Sequence, residues 1–443
     1  MAPFFGVESS RMCKEDPFLS PLGSPLRSGE GDIGISVSRG DGLCFPFASP
    51  LGGDFGETYS LLKRSLLALL WMVGGNEISL SCPKELYARL LERISIDSEL
   101  ENSFEAMEEI YGGKVAFSLV DELPRRKIEG RTCSLSSSGC RIGLDLGGSD
   151  IKAIALKEGE VAYSAERLWD PRNEKDPSYH EGVIASCLKE ASSFLPKVDF
   201  VGVSTSGIVE RGEILFPSLF ASCSEGDRKG RVRTLFNRLI PSLLPGTPFR
   251  LINDGDASSL GGALLHHKDS LLGLSLGTSL AAGYVKEGRL YPYLNELSKV
   301  SVNLSPKARS HYKYLIKGSA SEYLSQKGLL CLAESHGIEL EGSLPERLLA
   351  LQKLADSKDI GVLRVYEEFG RRLADSVIYF SAFLDFSTVF LLGRVMSGKG
   401  GEAILKSASS RMEEKGKGLA FFTAGERFKR LGQAYVASLL SFD

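Results

Sequence analysis

The chain has 443 residues, of which 43% are hydrophobic and 25% are charged. This is the composition of a folded protein with enough chain for two or three domains, and it excludes a fibrous or wholly disordered protein. The 53 Lys and Arg residues are balanced by 56 Asp and Glu, for a formal net charge of -3. Because no basic excess is left to neutralise a phosphate backbone, no nucleic-acid partner is expected.

The sequence predicts a protein that neither enters a membrane nor leaves the cytoplasm. Its longest concentrated apolar run, residues 66–73, is far shorter than the roughly 18 residues needed to cross a bilayer. The amino terminus lacks the charged start and apolar core of a secretory signal. The 8 cysteines include no Cys-X-X-Cys pair, which predicts isolated reduced thiols.

Residues 1–135 are predicted to form an N-terminal accessory domain whose role the sequence leaves open. A Ser- and Cys-rich linker over residues 132–140 follows it. The first thirty residues or so show no apolar periodicity and predict a loose tail, and Ile33, Ile35 and Val37 then alternate as in a strand. Further helices are predicted at 59–73 and 83–94, and strands at 77–82 and 114–120. No tight pair of short helices, the mark of a helix-turn-helix, is predicted.

The chain after this linker contains an internal repeat. Leu146-Gly147-Gly148-Ser149 and Leu276-Gly277-Thr278-Ser279 are each followed by an apolar run and a Lys-Glu-Gly sequence, with one residue of difference in spacing. The pattern predicts a duplicated antiparallel meander of three strands. Elsewhere the predicted elements alternate, with a helix at 180–194, strands at 198–204, 249–252 and 387–392, and a closing helix at 427–440. This alternation predicts a mixed α/β fold.

The first glycine turn carries residue types that suit phosphate binding. Gly147 and Gly148 let backbone N–H groups approach a phosphate without an intervening side chain, and Ser149 adds a hydroxyl donor. Asp145 is placed to hold a hydrated Mg²⁺ ion, because that ion prefers oxygen ligands. Lys152 adds positive charge. The alternative is a plain hairpin in which Asp145 is only a turn residue.

Two further glycine turns suggest a nucleotide site. The first glycine turn is repeated at Gly277, Thr278 and Ser279. Two such turns that face each other would bind a polyphosphate from both sides. Gly393-Arg394, which follows the strand at 387–392, begins a glycine-rich turn against which an adenosine would lie. This third turn is a weak signal alone, since any α/β protein contains similar sequences.

Asn253-Asp254 stands where a predicted strand runs into a helix. Carboxylates at such positions meet ligands in α/β proteins. Asp254 is therefore a candidate general base, which would take the proton of an attacking hydroxyl and hold it in line with a γ-phosphate. The alternative role is helix capping, which we assign to Asp256.

Taken in order, these motifs over residues 140–443 resemble the ROK family of sugar kinases and sugar-responsive repressors, within the actin, sugar kinase and heat-shock chaperone superfamily. The resemblance implies a two-lobed, actin-like (ribonuclease H-like) α/β ATPase fold, with lobes at 136–252 and 253–443 and an additional N-terminal α/β domain. Dimers are common in this family, and the residues leave the oligomeric state open.

The resemblance also implies residue roles. Asn253 would hydrogen-bond a sugar hydroxyl and Asp254 would deprotonate the acceptor. Glu296 and Glu322 resemble the family's acidic sugar contacts, and Gly207 falls at its Pro-Gly position although the proline is gone. ATP, with Mg²⁺ held through water by Asp145, would be bound by Asp145, Gly147, Gly148, Ser149, Lys152, Gly277, Thr278, Ser279, Gly393 and Arg394.

The chain departs from the family pattern at four other places. Lys299 stands where the family often has a zinc-binding His, and residues 303–322 contain no cysteine, so no zinc site is expected. Ser218 replaces a sugar-binding Asn, and Leu280 follows Ser279 where another glycine is usual. These changes leave the identity of the sugar open.

The resemblance implies an ATP-dependent kinase acting on a hexose, an N-acetylated amino sugar or a similar polyol. One alternative is a sugar-sensing regulator that kept the fold and lost turnover, which the changes at Lys299, Ser218 and Ser279 favour and the retained Asp145 and Asp254 oppose. Another is an ATPase of the chaperone or actin type, which the polar set of Asn253, Asp254 and Glu296 opposes.

Overall fold

The computed structural model describes residues 32–128, 134–210 and 212–441. The chain separates into two compact units. The described part of the first unit comprises residues 32–128, 275–281 and 291–423, and the second holds the remaining described residues. No helix in the described ranges is long and apolar enough to cross a membrane. The predicted loose tail lies outside the described residues, and the predicted domain borders stay a prediction.

Residues 32–128, the described part of the predicted N-terminal domain, contain a four-stranded sheet in the order β2-β1-β3-β4. Ile33, Ile35 and Val37 are buried, which confirms the predicted first strand. The second strand was not predicted. It contains Pro46 and lies at the edge of the sheet, where proline is tolerated. The elements are β1 (Ile33–Ser38), β2 (Cys44–Ser49), α1 (Phe55–Met72), β3 (Glu77–Ser81), α2 (Lys84–Ile94), α3 (Ser98–Tyr111) and β4 (Ala116–Leu119).

The expectation that this domain has no tight pair of helices was wrong. Only residues 95–97 separate α2 from α3, and Asp97 ends that turn as the N-cap of α3, accepting the N–H groups of Glu99 and Leu100. The second helix of a helix-turn-helix enters the major groove. Here that helix carries no Lys or Arg and five glutamates, which would repel phosphate: Glu99, Glu101, Glu105, Glu108 and Glu109.

The second unit is built around a five-stranded sheet in the order β11-β8-β5-β6-β7. All residues of β5 are buried, consistent with its central place. The elements along this stretch are β5 (Cys140–Leu146), β6 (Asp150–Lys157), β7 (Glu160–Leu168), α4 (Pro177–Ser192), β8 (Phe200–Thr205), β9 (Ile208–Glu210), β10 (Glu213–Phe216), α5 (Glu225–Asp227), α6 (Leu235–Leu243), β11 (Phe249–Asn253) and α7 (Asp254–His266).

The remaining strands form a sheet in the order β14-β13-β12-β15-β16. Within it, β15 and β16 are parallel, while β13 and β14 are antiparallel. The elements are β12 (Ser270–Leu276), β13 (Leu280–Lys286), β14 (Arg289–Leu290), α8 (Ala320–Tyr323), α9 (Gln326–Ser335), α10 (Leu344–Asp356), α11 (Ile360–Phe380), β15 (Thr388–Leu392), α12 (Gly398–Glu414), β16 (Ala420–Thr423) and α13 (Glu426–Leu439).

The predicted duplication is confirmed. Each copy has a glycine turn closed by a backbone hydrogen bond, from Gly147 N–H to Asp150 O at 2.9 Å and from Gly277 N–H to Ser279 O at 3.0 Å. Each meander then turns at a Glu-Gly pair with positive φ at both residues, 158–159 and 287–288, as in a type I′ hairpin. The difference in spacing arises because β6 has 8 residues and β13 has 7.

Candidate active site

The carboxyl ends of three parallel strands of the second unit meet at one edge of its sheet. Leu146, Thr205 and Asn253 lie in register across β5, β8 and β11. Neighbouring strands are about 4.8 Å apart, so the ends of β5 and β11 are roughly 10 Å apart. The first glycine turn and Asp254 follow these ends directly. That separation suits a bound phosphate and an acceptor hydroxyl.

Asp145 lies inside the protein beneath the first glycine turn and is 3% exposed. Ser204 donates to its Oδ1 at 3.0 Å, and Lys152 Nζ is 3.5 Å from its Oδ2. Lys152 also contacts Asp150 Oδ1 at 2.6 Å. Burial raises the pKa of Asp145, while Lys152 and Ser204 act in the opposite direction. Burial opposes ionisation of Lys152, but the two carboxylates hold its pKa above the ordinary value.

The first glycine turn is supported by two side chains that the sequence analysis missed. Trp169 is 6% exposed and donates its indole N–H to Gly147 O at 2.8 Å. Arg172 is exposed, and a Cβ added to Gly148 would lie 3.4 Å from its Nη2. The turn therefore has a cation beside its exposed backbone. Neither residue belongs to a periodic pattern, so the sequence analysis had no signal that would single them out.

Asn253 is the N-cap of α7, with its side-chain oxygen accepting from Gly255 N–H at 2.8 Å and Asp256 N–H at 3.4 Å. The assignment of the capping role to Asp256 was therefore wrong. Asn253 Nδ2 donates to Gly207 O at 2.7 Å, which ties the helix start to the segment after β8.

Asp254 is the first residue of α7 and is half-buried. Its Oδ1 accepts the N–H of Gly255 at 2.9 Å, and its own backbone oxygen accepts from Gln433 Nε2 at 3.0 Å. The N-terminus of a helix favours a negative charge. Asp254 is thus a fixed carboxylate at the edge where a ligand would meet the sheet.

In the first unit, the second glycine turn adjoins the turn that begins at Gly393. Gly277 O accepts the N–H of Gln326, the first residue of α9, at 2.8 Å. Gly393 has a φ of 96°, and an added Cβ would lie 2.4 Å from Leu276 O. Only glycine fits there. The predicted phosphate residues Gly277, Thr278 and Ser279 are thus neighbours of the predicted adenosine residues Gly393 and Arg394.

The two predicted acidic sugar contacts are both in ion pairs. Glu296 contacts Lys299 Nζ through its Oε2, and Ser298 Oγ donates to the same oxygen at 3.3 Å. Glu322 lies 2.7 Å from Lys327 Nζ and 3.7 Å from Arg309 Nε. Lys327 follows Gln326 in α9, so Glu322 lies near the second glycine turn.

The structure brings eight predicted site residues to the sheet edge of the second unit: Asp145, Gly147, Gly148, Ser149, Lys152, Gly207, Asn253 and Asp254. Asp145 fits a hydrated Mg²⁺ ion better than a directly bound one, because both carboxylate oxygens already have hydrogen-bond partners. In the described ranges, no group of three or more His, Cys, Asp or Glu residues is arranged to hold a metal ion.

Solved structures show the same fold. A ROK family glucokinase from Streptomyces griseus, in complex with glucose and AMPPNP, matches at 18% identity with a TM-score of 0.54, covering 68% of this chain and 98% of that one. A ROK hexokinase from Thermus thermophilus matches at 18% identity with a TM-score of 0.51, covering 68% and 97%. No protein-family model and no curated protein matches the sequence.

A ROK family transcriptional regulator, a homologue of the E. coli Mlc protein, matches at 14% identity with a TM-score of 0.55. It covers 81% of this chain and 88% of that one, so the match extends over more of this chain than the kinase matches do. At these identities the likeness establishes the fold alone. The chain has the actin-like α/β fold found in ROK sugar kinases and in a ROK regulator, as the motifs predicted.

Proposed function

We propose that the chain is an ATP-dependent kinase that phosphorylates a hydroxyl of a hexose, an N-acetylated amino sugar or a similar polyol. The observation that carries the proposal is the sheet edge of the second unit. There, Asp254 stands two strands away from a glycine turn that is backed by Asp145 and Lys152. The fold agrees with this function, since one structural neighbour binds glucose and AMPPNP.

The first glycine turn would bind the phosphates of ATP. Gly148 and Ser149 would contact the phosphate, because the Gly147 N–H already closes the turn on Asp150 O, and Arg172 would neutralise charge on the phosphate oxygens beside Gly148. Mg²⁺, when held through water by Asp145, would offset the charge on the phosphoryl group. In the first unit, residues 277–279 would contact phosphate, and Gly393 and Arg394 would contact adenosine.

Asp254 would be the general base. Its carboxylate, whose Oδ1 accepts the N–H of Gly255, would take the proton of the sugar hydroxyl as that oxygen attacks the γ-phosphorus. The bond to the ADP oxygen then breaks, and the electron pair leaves with ADP. Asn253 has one further amide hydrogen for a sugar hydroxyl. Glu296 and Glu322 would hold other hydroxyls of the sugar.

The test is ADP release from MgATP across a panel of hexoses, N-acetylated amino sugars and inositols. We expect sugar-dependent turnover that falls by about 10²- to 10⁴-fold in Asp254→Asn, because the variant cannot accept the proton. Sugar affinity should change much less. Asp256→Asn, in the first turn of the same helix, is the matched control and should stay within about twofold of the unmodified protein.

Two outcomes would contradict the proposal. Full turnover by Asp254→Asn would show that this residue is not the base. Absence of turnover with every sugar, while calorimetry still detects sugar binding, would identify a non-catalytic sensor instead.

The sensor is the second candidate function, and one observation favours it. Both predicted acidic sugar contacts already have cationic partners, Glu296 with Lys299 and Glu322 with Lys327. A site with these pairs would bind a sugar without the tight orientation that turnover needs. The likeness to a regulator is compatible with this reading at the level of fold.

A further inference from the structure

The loop that carries Glu296 is bound to the end of a helix in the N-terminal domain. Three consecutive backbone N–H groups donate to three consecutive carbonyl oxygens. Leu294 donates to Val73 O at 3.0 Å, Asn295 to Met72 O at 2.9 Å and Glu296 to Trp71 O at 2.9 Å. The acceptors are the last residues of α1 and its C-cap.

These acceptors explain why the loop lies where it does. The last four carbonyl groups of a helix have no partner within the helix and must find donors elsewhere. Residues 71–73 are all buried, so water does not supply those donors. The loop at 294–296 does so, and its own backbone becomes fixed in return.

Side chains extend the same contact to the Glu296 carboxylate. Trp71 is 1% exposed, and its ring lies 4.6 Å from the ring of Tyr314. Its indole N–H donates to Ser103 Oγ of α3 at 3.1 Å. Lys299 Nζ lies 5.7 Å from the Trp71 ring centroid and forms the ion pair with Glu296. One tryptophan thus supports both the backbone and the cation that orient Glu296.

The neighbouring segments are bound to the same domain. Arg126 donates to the Tyr293 hydroxyl at 3.0 Å, just before the loop. Further on, Lys317 N–H donates to Glu99 Oε2 at 3.0 Å, and Lys63 holds the other oxygen of that carboxylate at 2.8 Å. Contacts on both sides of Glu296 therefore come from residues 32–128.

We infer that the N-terminal domain is part of the sugar site, with the end of α1 and Trp71 as positioning elements that set the place of Glu296. This inference rests on the proposed function, in which Glu296 binds a sugar hydroxyl. It gives the domain a defined task, which is to set affinity for the sugar. Loosening the contact should weaken sugar binding and leave ATP binding unchanged.

Gly74→Ala tests the inference at the contact itself. Gly74 follows the C-cap of α1 with a φ of 81°, and an added Cβ would lie 1.9 Å from the Tyr111 hydroxyl and 3.0 Å from Leu294 Cβ. The methyl group must displace the Tyr111 hydroxyl and must also move Leu294 Cβ by a few tenths of an ångström. Gly112→Ala is the matched control, because its φ is 73° and no atom lies within 4 Å of the added Cβ. Both variants carry the left-handed strain, but only one touches the loop.

Two readouts are compared between the variants. Hydrogen exchange of the amides at 294–296 should accelerate in Gly74→Ala and stay near the unmodified rate in Gly112→Ala. The KM for the sugar should rise about 10- to 100-fold in Gly74→Ala alone, since small displacements of a binding group have effects of that size. The kcat and the KM for ATP should change less than about threefold.

Equal exchange at 294–296 in the two variants, or an equal KM for the sugar, would overturn the inference while the kinase stands. If the unmodified protein neither binds nor phosphorylates any sugar, the proposed function fails and the role in sugar binding fails with it. Hydrogen exchange still decides in that case whether α1 holds the loop, so the two failures are distinguishable.

Discussion

The two glycine hairpins share a strand-turn-strand plan but differ in the charge that they carry beside the turn. Each turn is closed by a hydrogen bond from its first glycine N–H, to Asp150 O in the turn at 147–149 and to Ser279 O in the turn at 277–279. Aligned on these turns, Asp145, Asp150 and Lys152 of the first hairpin correspond to Ser275, Leu280 and Ala282 of the second. At these positions the first hairpin has two buried carboxylates and a partly buried lysine, and the second has no charged residue.

The comparison shows that a glycine turn of this kind does not need charge in order to form. Replacing a buried ion network by apolar residues is often neutral or favourable for stability. The second hairpin has one serine and two apolar residues at the corresponding positions and still forms its turn. The charges of the first hairpin are thus not required for a glycine turn to form, which is compatible with the ligand-binding role proposed for them.

The largest effect is expected when the network of the first hairpin is broken. Lys152→Met leaves Asp145 and Asp150, each 3% exposed, without their shared cation. We expect the free energy of unfolding to fall by about 3–5 kcal/mol. Chemical denaturation followed by circular dichroism would measure it.

The matched control gives the first hairpin the neutral residues of the second, as Asp145→Ser, Asp150→Leu and Lys152→Ala combined. This variant should recover to within about 2 kcal/mol of the unmodified protein, because no unpaired charge stays buried. Its turnover should nevertheless be lost. A triple variant that keeps its turnover would show that the charges have no catalytic role.

In contrast to the first hairpin with its ion network, the unit that contains the second turn has a buried neutral group, His311. Acidification is expected to destabilise the protein through this group. His311 is 7% exposed, and its Nδ1 accepts the N–H groups of Lys313 and Tyr314. Burial, aided by Lys299, Lys313 and Lys327, lowers its pKa from 6.5 to about 3. At a pH between about 3 and 6.5, His311 is therefore protonated in the unfolded chain and neutral in the folded chain.

Stability should therefore decrease as the pH falls from about 6.5, by up to roughly 1.4 kcal/mol per pH unit, or about 2 kcal/mol at pH 5. His311→Asn keeps an acceptor for the two N–H groups and removes the titration. Denaturation curves at several pH values should show a smaller acid dependence in the variant. An unchanged dependence would mean that other groups cause the loss.

The smallest effect is expected at Arg172, which adds a cation to the first turn only. Arg172→Ala should raise the KM for ATP about tenfold, which is about 1.4 kcal/mol, and leave stability within about 0.5 kcal/mol, because the side chain is exposed. Arg167→Ala is the control, since Arg167 pairs with Glu190 at 2.7 Å on the partly exposed strand β7. Equal KM values for ATP in the two variants would remove Arg172 from the site.

Local sequence was enough to predict most elements and the repeat. The glycine turns, the Glu-Gly turns and the apolar runs act over a few residues, and the structure confirms them. The helix α3 was missed because its apolar residues are interrupted by glutamates, and its place depends on burial of Leu100 and Met107. Asn253 and Asp256 are both good capping residues, and only the course of the backbone selected Asn253.

The sequence alone determined the mixed α/β fold, the two glycine hairpins and the positions of Asp145 and Asp254 at strand ends. These features follow from periodicity and turn chemistry, which neighbouring residues carry. Only the tertiary structure decided that Trp169 and Arg172 support the first turn, that Lys299 pairs with Glu296, and that α1 holds the Glu296 loop. Trp71 and Glu296 are far apart in the chain, and no local pattern encodes which carbonyl groups at a helix end will meet which donors.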